Sequence, residues 1–122
     1  RGPSLIIDTL PDDSGPLWTL MVALAASDNG YRVHLMDAPL PFSDLPLALE
    51  RLRAAAVILC SGKAERSDVI RRQLPRLAEQ LEAPLALCGP VSRIRASELG
   101  DSGVELLGDD IPQAMDRLRP LT

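Results

Sequence analysis

Three aspartates, Asp8, Asp12 and Asp13, follow a short apolar run, Leu5-Ile6-Ile7. They precede an amphipathic run whose apolar positions are Leu17, Leu20, Met21, Leu24 and Ala25. Carboxylates grouped after a first strand can hold Mg²⁺ for phosphoryl transfer. The nucleophile of a phospho-acceptor domain would then be a carboxylate ending the third strand. The third strand-like run ends Leu59-Cys60-Ser61-Gly62, with no carboxylate, and Lys63 stands on the wrong loop for the accompanying lysine. Phospho-acceptor chemistry is therefore disfavoured.

Other chemistries are as incomplete. There is no G-x-G-x-x-G, and Gly62-Lys63 lacks the upstream glycine and following Ser/Thr of a phosphate loop. Lys63, Arg66, Arg93 and Arg95 flank two expected helix starts and are candidate anion contacts, with solvated surface charge as the plainer reading. Cys60 and Cys88 each end an apolar run, which suits buried free thiols better than a disulfide or metal site. His34, between Val33 and Leu35, faces the opposite side of its strand, and Asp37 is its nearest candidate partner. A packed structural histidine is the simpler reading. Trp18, the one tryptophan, falls in the first turn of a helix beside the loop that carries the aspartates. Its plain reading is that it packs that helix on the sheet, and its sharper one, compatible with the first, is that it fills a cavity where a related domain would hold a ligand.

The elements that must position these residues alternate. Strands are expected at Ser4–Leu10, Tyr31–Met36, Ala55–Cys60, Pro84–Cys88 and Val104–Leu107. Helices are expected at Ser14–Asn29, from Ser43, at Ser67–Leu81, at Ser92–Leu99 and from Asp109-Asp110 to Leu118. Asp13 or Ser14 can cap the first helix, Ser43 the second, and Gly30 suits a helix C′ position. Pro75, inside the third helix, predicts a kink or break there. The continuous apolarity of Ala55–Cys60 marks a parallel strand covered on both faces.

Five such units predict an α/β fold. It would be a five-stranded parallel sheet with helices on both faces, flavodoxin-like (Rossmann-like), in strand order 2-1-3-4-5. Ligands of such folds sit at the carboxyl ends of the strands, where the order reverses. The loops there are Asp12–Trp18, Asp37–Pro41, Ser61–Arg66 and Gly89–Arg93.

The 122 residues suit a single domain, 1–122, with enough hydrophobic residues (46%) for a core built from Leu, Ile, Val and Ala. The net charge of −4 argues against nucleic-acid binding by this chain alone. No apolar run approaches the ~20 residues of a membrane span. Two cysteines and no signal peptide fit the cytoplasm. A start at Arg1-Gly2-Pro3 fits a fragment whose N-terminal partner domain is absent.

Over nearly its whole length the chain resembles the cobalamin-binding domain family. Asn29-Gly30-Tyr31-Arg32-Val33-His34-Leu35, then Pro39-Leu40 and Asp44-Leu45, are similar to the second strand and loop of light- and B12-responsive regulators of the MerR class. The family's first loop reads D-x-H-x-x-G, with the His as cobalt ligand and the Gly making room for the nucleotide tail. A serine follows strand 3, and a Gly-Gly pair follows strand 4. Here the loop is Asp13-Ser14-Gly15-Pro16-Leu17-Trp18. Asp13 is kept, Gly15 stands in place of the His, and Trp18 in place of the Gly. Ser61, followed by Gly62, matches the serine, and Gly89-Pro90 keeps one glycine of the pair. The resemblance therefore implies a degenerate cobalamin site that does not bind cobalamin.

A nearer resemblance is to the MerR-like activators of curli and biofilm-matrix genes, whose C-terminal domains lack the cobalamin motif. It rests on Asp13…Leu17-Trp18, Gly30-Tyr31-Arg32 and Cys60 followed by Gly62. It implies a non-catalytic effector domain of a transcription regulator, with no cofactor and no metal. The domain would act through a partner protein, self-association or another small ligand. Signalling enzymes of cyclic-di-GMP metabolism are the implied partners, and DNA would be reached only through a missing N-terminal winged helix-turn-helix. Two rivals are a cobalamin-binding sensor domain that takes the corrinoid base-on and an enzyme or carrier subunit of corrinoid methyl transfer.

Overall fold

The structure, a computed structural model, describes residues 2–122. Five strands, β1 (Ser4–Thr9), β2 (Arg32–Leu35), β3 (Ala54–Cys60), β4 (Leu85–Cys88) and β5 (Val104–Leu106), form one sheet. Its order is β2-β1-β3-β4-β5 and every pairing is parallel. This is the expected doubly wound, flavodoxin-like architecture, with its reversal between β1 and β3. Helices α1 (Leu17–Asp28) and α5 (Ile111–Leu118) cover one face. The other is covered by α2 (Leu45–Leu52), α3 (Leu74–Gln80) and α4 (Pro90–Ile94).

The strands are apolar throughout because both faces are covered. Leu5, Ile7, Ala56, Ile58, Cys60 and Cys88 pack under α1 and α5. Ile6, Val57, Leu59, Leu85 and Leu87 pack under α2 and α3. Cys60 and Cys88 are in-register neighbours across β3 and β4, fully buried and unbonded.

Four local expectations are corrected. First, α1 begins at Leu17 with Pro16 as its N-cap and no side-chain cap bond. Asp13 is turned to other amides instead, and Ser14 caps nothing. Second, Ser43 does not cap α2. A 3₁₀ turn, Phe42–Asp44, leads in, and Asp44 takes the cap position without a side-chain bond. Third, the expected break at Pro75 is a π-helical turn, Val69–Gln73, running straight into α3. Proline lacks the N–H that an α-helical bond needs, and one wide turn ahead of it lets the helix continue. Fourth, the helix expected at Ser92–Leu99 starts at Pro90 and divides into α4 and a 3₁₀ turn, Ala96–Glu98.

The face of α1 differs as well. Thr19, Val22, Ala23 and Ala26 form its inner face. Leu17, Leu20 and Leu24, on the apolar stripe expected to pack inward, are 65%, 49% and 67% exposed. Periodicity shows that a stripe exists but not which way it turns when a helix is apolar all round. Small side chains let α1 approach the sheet closely, and the bulkier leucines are left outside.

This orientation makes opposite substitutions informative. Val22→Ser should cost about 1–3 kcal/mol and Leu24→Ser less than about 0.5 kcal/mol, read from urea midpoints. The reverse ranking would contradict the assigned face.

Candidate functional site

The carboxyl edge of the sheet is held together by its own polar groups. Asp8, 2% exposed at the end of β1, accepts from the Thr9 amide (2.8 Å) and from the Leu40 amide (2.8 Å). It thereby ties the loop after β2 to β1. Thr9 and Thr19 share a hydroxyl hydrogen bond of 2.6 Å that ties β1 to α1.

The loops after β1 and β3 are joined by carboxylates. Asp13 accepts from the Gly15 amide (3.1 Å) and, through its other oxygen, from the Gly62 amide (2.8 Å). Asp12 accepts from the Arg66 amide (2.8 Å) and pairs with the Arg66 guanidinium (3.1 Å). Glu65, 6% exposed, accepts from the Asp12 amide (2.9 Å) and from the Ser61 hydroxyl (2.7 Å). Its backbone is left-handed (φ +64°), a conformation rare for a residue with a Cβ. Arg95 secures that turn by donating to the carbonyls of Ala64 (3.0 Å) and Glu65 (2.7 Å). The Glu65 and Arg95 roles are not visible in the sequence, where Arg95 reads as a candidate anion contact or solvated charge and nothing singles out Glu65. A buried carboxylate between two loops leaves no local periodicity.

Trp18 lies over this seam. A Cβ added to Gly62 would stand 3.1 Å from Cδ1 of Trp18, and one added to Gly89 would stand 3.3 Å from its Cδ2. The indole therefore rests against the loops after β3 and β4, partly buried above the cluster that includes Cys60 and Cys88. Gly89 (φ +105°) also brings its backbone so near Ser61 that a Cβ would be 2.6 Å from the Ser61 carbonyl oxygen. Ser61 is fully buried. Its amide donates to the Cys88 carbonyl, and its own carbonyl accepts from Val91.

The structure thus brings Asp13, Trp18, Ser61, Gly62 and Gly89 together. Pro90 opens α4 beside them. Gly15 has open space where its Cβ would be, so a side chain would fit there, but none is present. Ser14 is exposed. A cleft of about 120 Å³ lies between the loops after β1 and β2, lined in part by Asp8, Asp13, Gly15, Pro16, Met36 and Pro39, and a second, of about 330 Å³, lies beside the loops after β4 and β5, lined in part by Ser92, Arg93, Gly108 and Asp109. Ligand pockets usually measure about 300–1,000 Å³, so the cleft beside Asp13 and Gly15 is too small for one.

Of the candidate anion contacts, Arg93 lines the larger cleft and none lines the smaller. Arg66 is held by Asp12, Arg93 by Asp109 (2.8 Å) and Arg95 by Glu98 (2.8 Å), while Lys63 is exposed. Burial raises the Cys60 thiol well above its ordinary range and pushes Cys88 up to about 11, so both remain protonated at neutral pH. His34 is half-buried, and its Nε2 has no hydrogen-bond partner, Asp37 included. Among the described residues, no three His, Cys, Asp or Glu side chains are grouped to hold a metal ion. Among the described residues, no helix is long and apolar enough to cross a membrane. The chain matches no protein-family model and none of the curated proteins.

Burial raises the Glu65 carboxyl above its ordinary value, against the lowering effect of the Ser61 hydroxyl and the Asp12 amide. A carboxyl raised on folding holds its proton more tightly in the native state. Its contribution is most favourable at low pH and declines as pH rises through the folded value. The stability of the wild type relative to Glu65→Gln should therefore fall as pH rises above the ordinary carboxyl range. Urea unfolding of both proteins through that rise measures it, and a relative stability that increases would contradict the burial.

Trp18→Gly, for a fully packed plug, would cost about 3–5 kcal/mol. The indole is partly exposed, so Trp18→Ala should cost about 2–3 kcal/mol. An unchanged melting temperature would show that the indole is not packed as described.

Proposed function

We propose that this chain is a non-catalytic effector domain of a MerR-class transcription regulator, in which a cobalamin-type crevice has been closed by the domain's own side chains. The observation that carries the reading is the Trp18 indole resting on Gly62 and Gly89. A nucleotide tail would have to enter where that ring lies. Gly15 offers no imidazole to a cobalt ion. The residues present therefore do not fit the cofactor.

The closed crevice also favours a binding role over catalysis. Its carboxylates serve as loop ties, and its thiols are buried and protonated. The domain would act in the cytoplasm through a protein contact. Enzymes of cyclic-di-GMP metabolism are candidate partners on the family resemblance alone. The acidic net charge fits promoter binding by a separate N-terminal region.

Titration with adenosylcobalamin and hydroxocobalamin in the dark, followed by gel filtration at visible wavelengths, tests the reading. A colourless protein peak is expected. Colour eluting with the protein would overturn the closed crevice and favour a base-on corrinoid sensor.

A further inference from the structure

The carboxyl edge of the sheet is closed at its switch point but not along its whole length. The cleft of about 330 Å³ beside the loops after β4 and β5 lies between α4 and α5, and none of its lining residues belongs to the degenerate cobalamin site. Its volume reaches the range of small-ligand pockets, and open α/β sheets bind ligands along this edge.

Two guanidiniums come to this cleft, one from each helix. Arg93 of α4 donates through Nε to Asp109 (2.8 Å), and its two terminal nitrogens have no acceptor among the described residues. Arg117 belongs to the last turn of α5, with Gln113 one turn back on the same face. Helical side chains lean toward the start of their helix, and that of Arg117 ends against Gly108. A Cβ on Gly108 (φ +82°) would stand 3.0 Å from Nη1 of Arg117. The charge is thus held over the cleft, and among the described residues no carboxylate pairs with it.

Ser92 adds a buried donor. It is 1% exposed, and its hydroxyl accepts from the Gly108 amide (2.9 Å). A hydroxyl that accepts still has one proton to give. Among the described residues nothing takes that proton, and Ser92 lines the cleft. Buried donors in native proteins ordinarily meet a partner.

We propose that this cleft binds a phosphate monoester, its phosphate group held between the Arg93 and Arg117 guanidiniums and accepting from the Ser92 hydroxyl. Both guanidiniums are permanently charged, which selects an anion. A carboxylate lies in one plane and suits one guanidinium fork. The tetrahedral oxygens of a phosphate can meet forks from two helices and a hydroxyl together. The phosphate group fills only a fraction of the cleft. The ester's organic part has Leu106 and the arginine stems to lie against. Asp109 opposes the anion, while Asp110 is occupied in capping α5. Binding is therefore weak, with a Kd of roughly a millimolar. The site is independent of the closed crevice and of the regulator reading.

Titration of the isotope-labelled chain with phenyl phosphate, inorganic phosphate and sodium acetate at constant ionic strength, read from amide chemical shifts, is the test. The expected result is saturable movement of the Gly108 and Asp109 amides, severalfold tighter for phenyl phosphate than for inorganic phosphate and weakest for acetate. Arg117→Gln should weaken phenyl phosphate by about tenfold. Asp109→Asn should tighten it, because the opposing carboxylate is gone and Arg93 is released. Arg76→Gln, exposed on α3 and outside the cleft, should change nothing. No saturable shift at Gly108, or equal losses from Arg117→Gln and Arg76→Gln, would overturn the site. Acetate as tight as phenyl phosphate, or inorganic phosphate as tight as the ester, would overturn the ligand class. Weakening by Asp109→Asn would also contradict the proposal. Thermal melts confirm that each variant folds.

Discussion

The Asp13 carboxylate bridges two loops far apart in sequence, holding the Gly15 amide with one oxygen and the Gly62 amide with the other. The arrangement of the carboxyl edge depends on this bridge. It sets the path of the chain into α1, and so the place where Trp18 enters. It also fixes the Gly62 backbone against which the indole rests. Gly62 and Gly89 permit the contact because neither has a Cβ to hold the ring away. An acid, an indole and two glycines thus close the switch point of a fold that ordinarily opens there.

A second layer of ties surrounds the first. Glu65 links the Asp12 amide to the Ser61 hydroxyl, and Arg95 holds the left-handed turn in which Glu65 sits. Asp8 performs the same office for the loop after β2. Each carboxylate is satisfied by amides or a hydroxyl, which is what permits its burial. These groups resemble catalytic machinery in type, yet they are consumed in holding loops.

The fold was legible because its signals agree. Apolar runs of strand length alternate with helical periodicity, and Gly30, Gly89-Pro90 and Asp110 punctuate them. Asp110 caps α5 as its position suggests, accepting from the Gln113 amide (3.0 Å). Trp18 could be placed at the crevice for the same reason. What it touches could not be read, because its neighbours arrive from loops after β3 and β4. Glu65 was illegible because its partner Asp12 is 53 positions away. The turn of α1 was illegible because leucines and alanines share the helix, and packing distance decides which face turns in. At Pro75 a local rule was right about the missing donor but silent on how the helix absorbs it.

Trp18 is the only tryptophan, so its fluorescence reports on the crevice without a label. The most direct measurement is its emission maximum and acrylamide quenching in the native protein, compared with the urea-unfolded chain. The account predicts a blue-shifted maximum and markedly slower quenching when native. Emission and quenching equal to those of the unfolded chain would mean that the indole stands in water and the crevice is open.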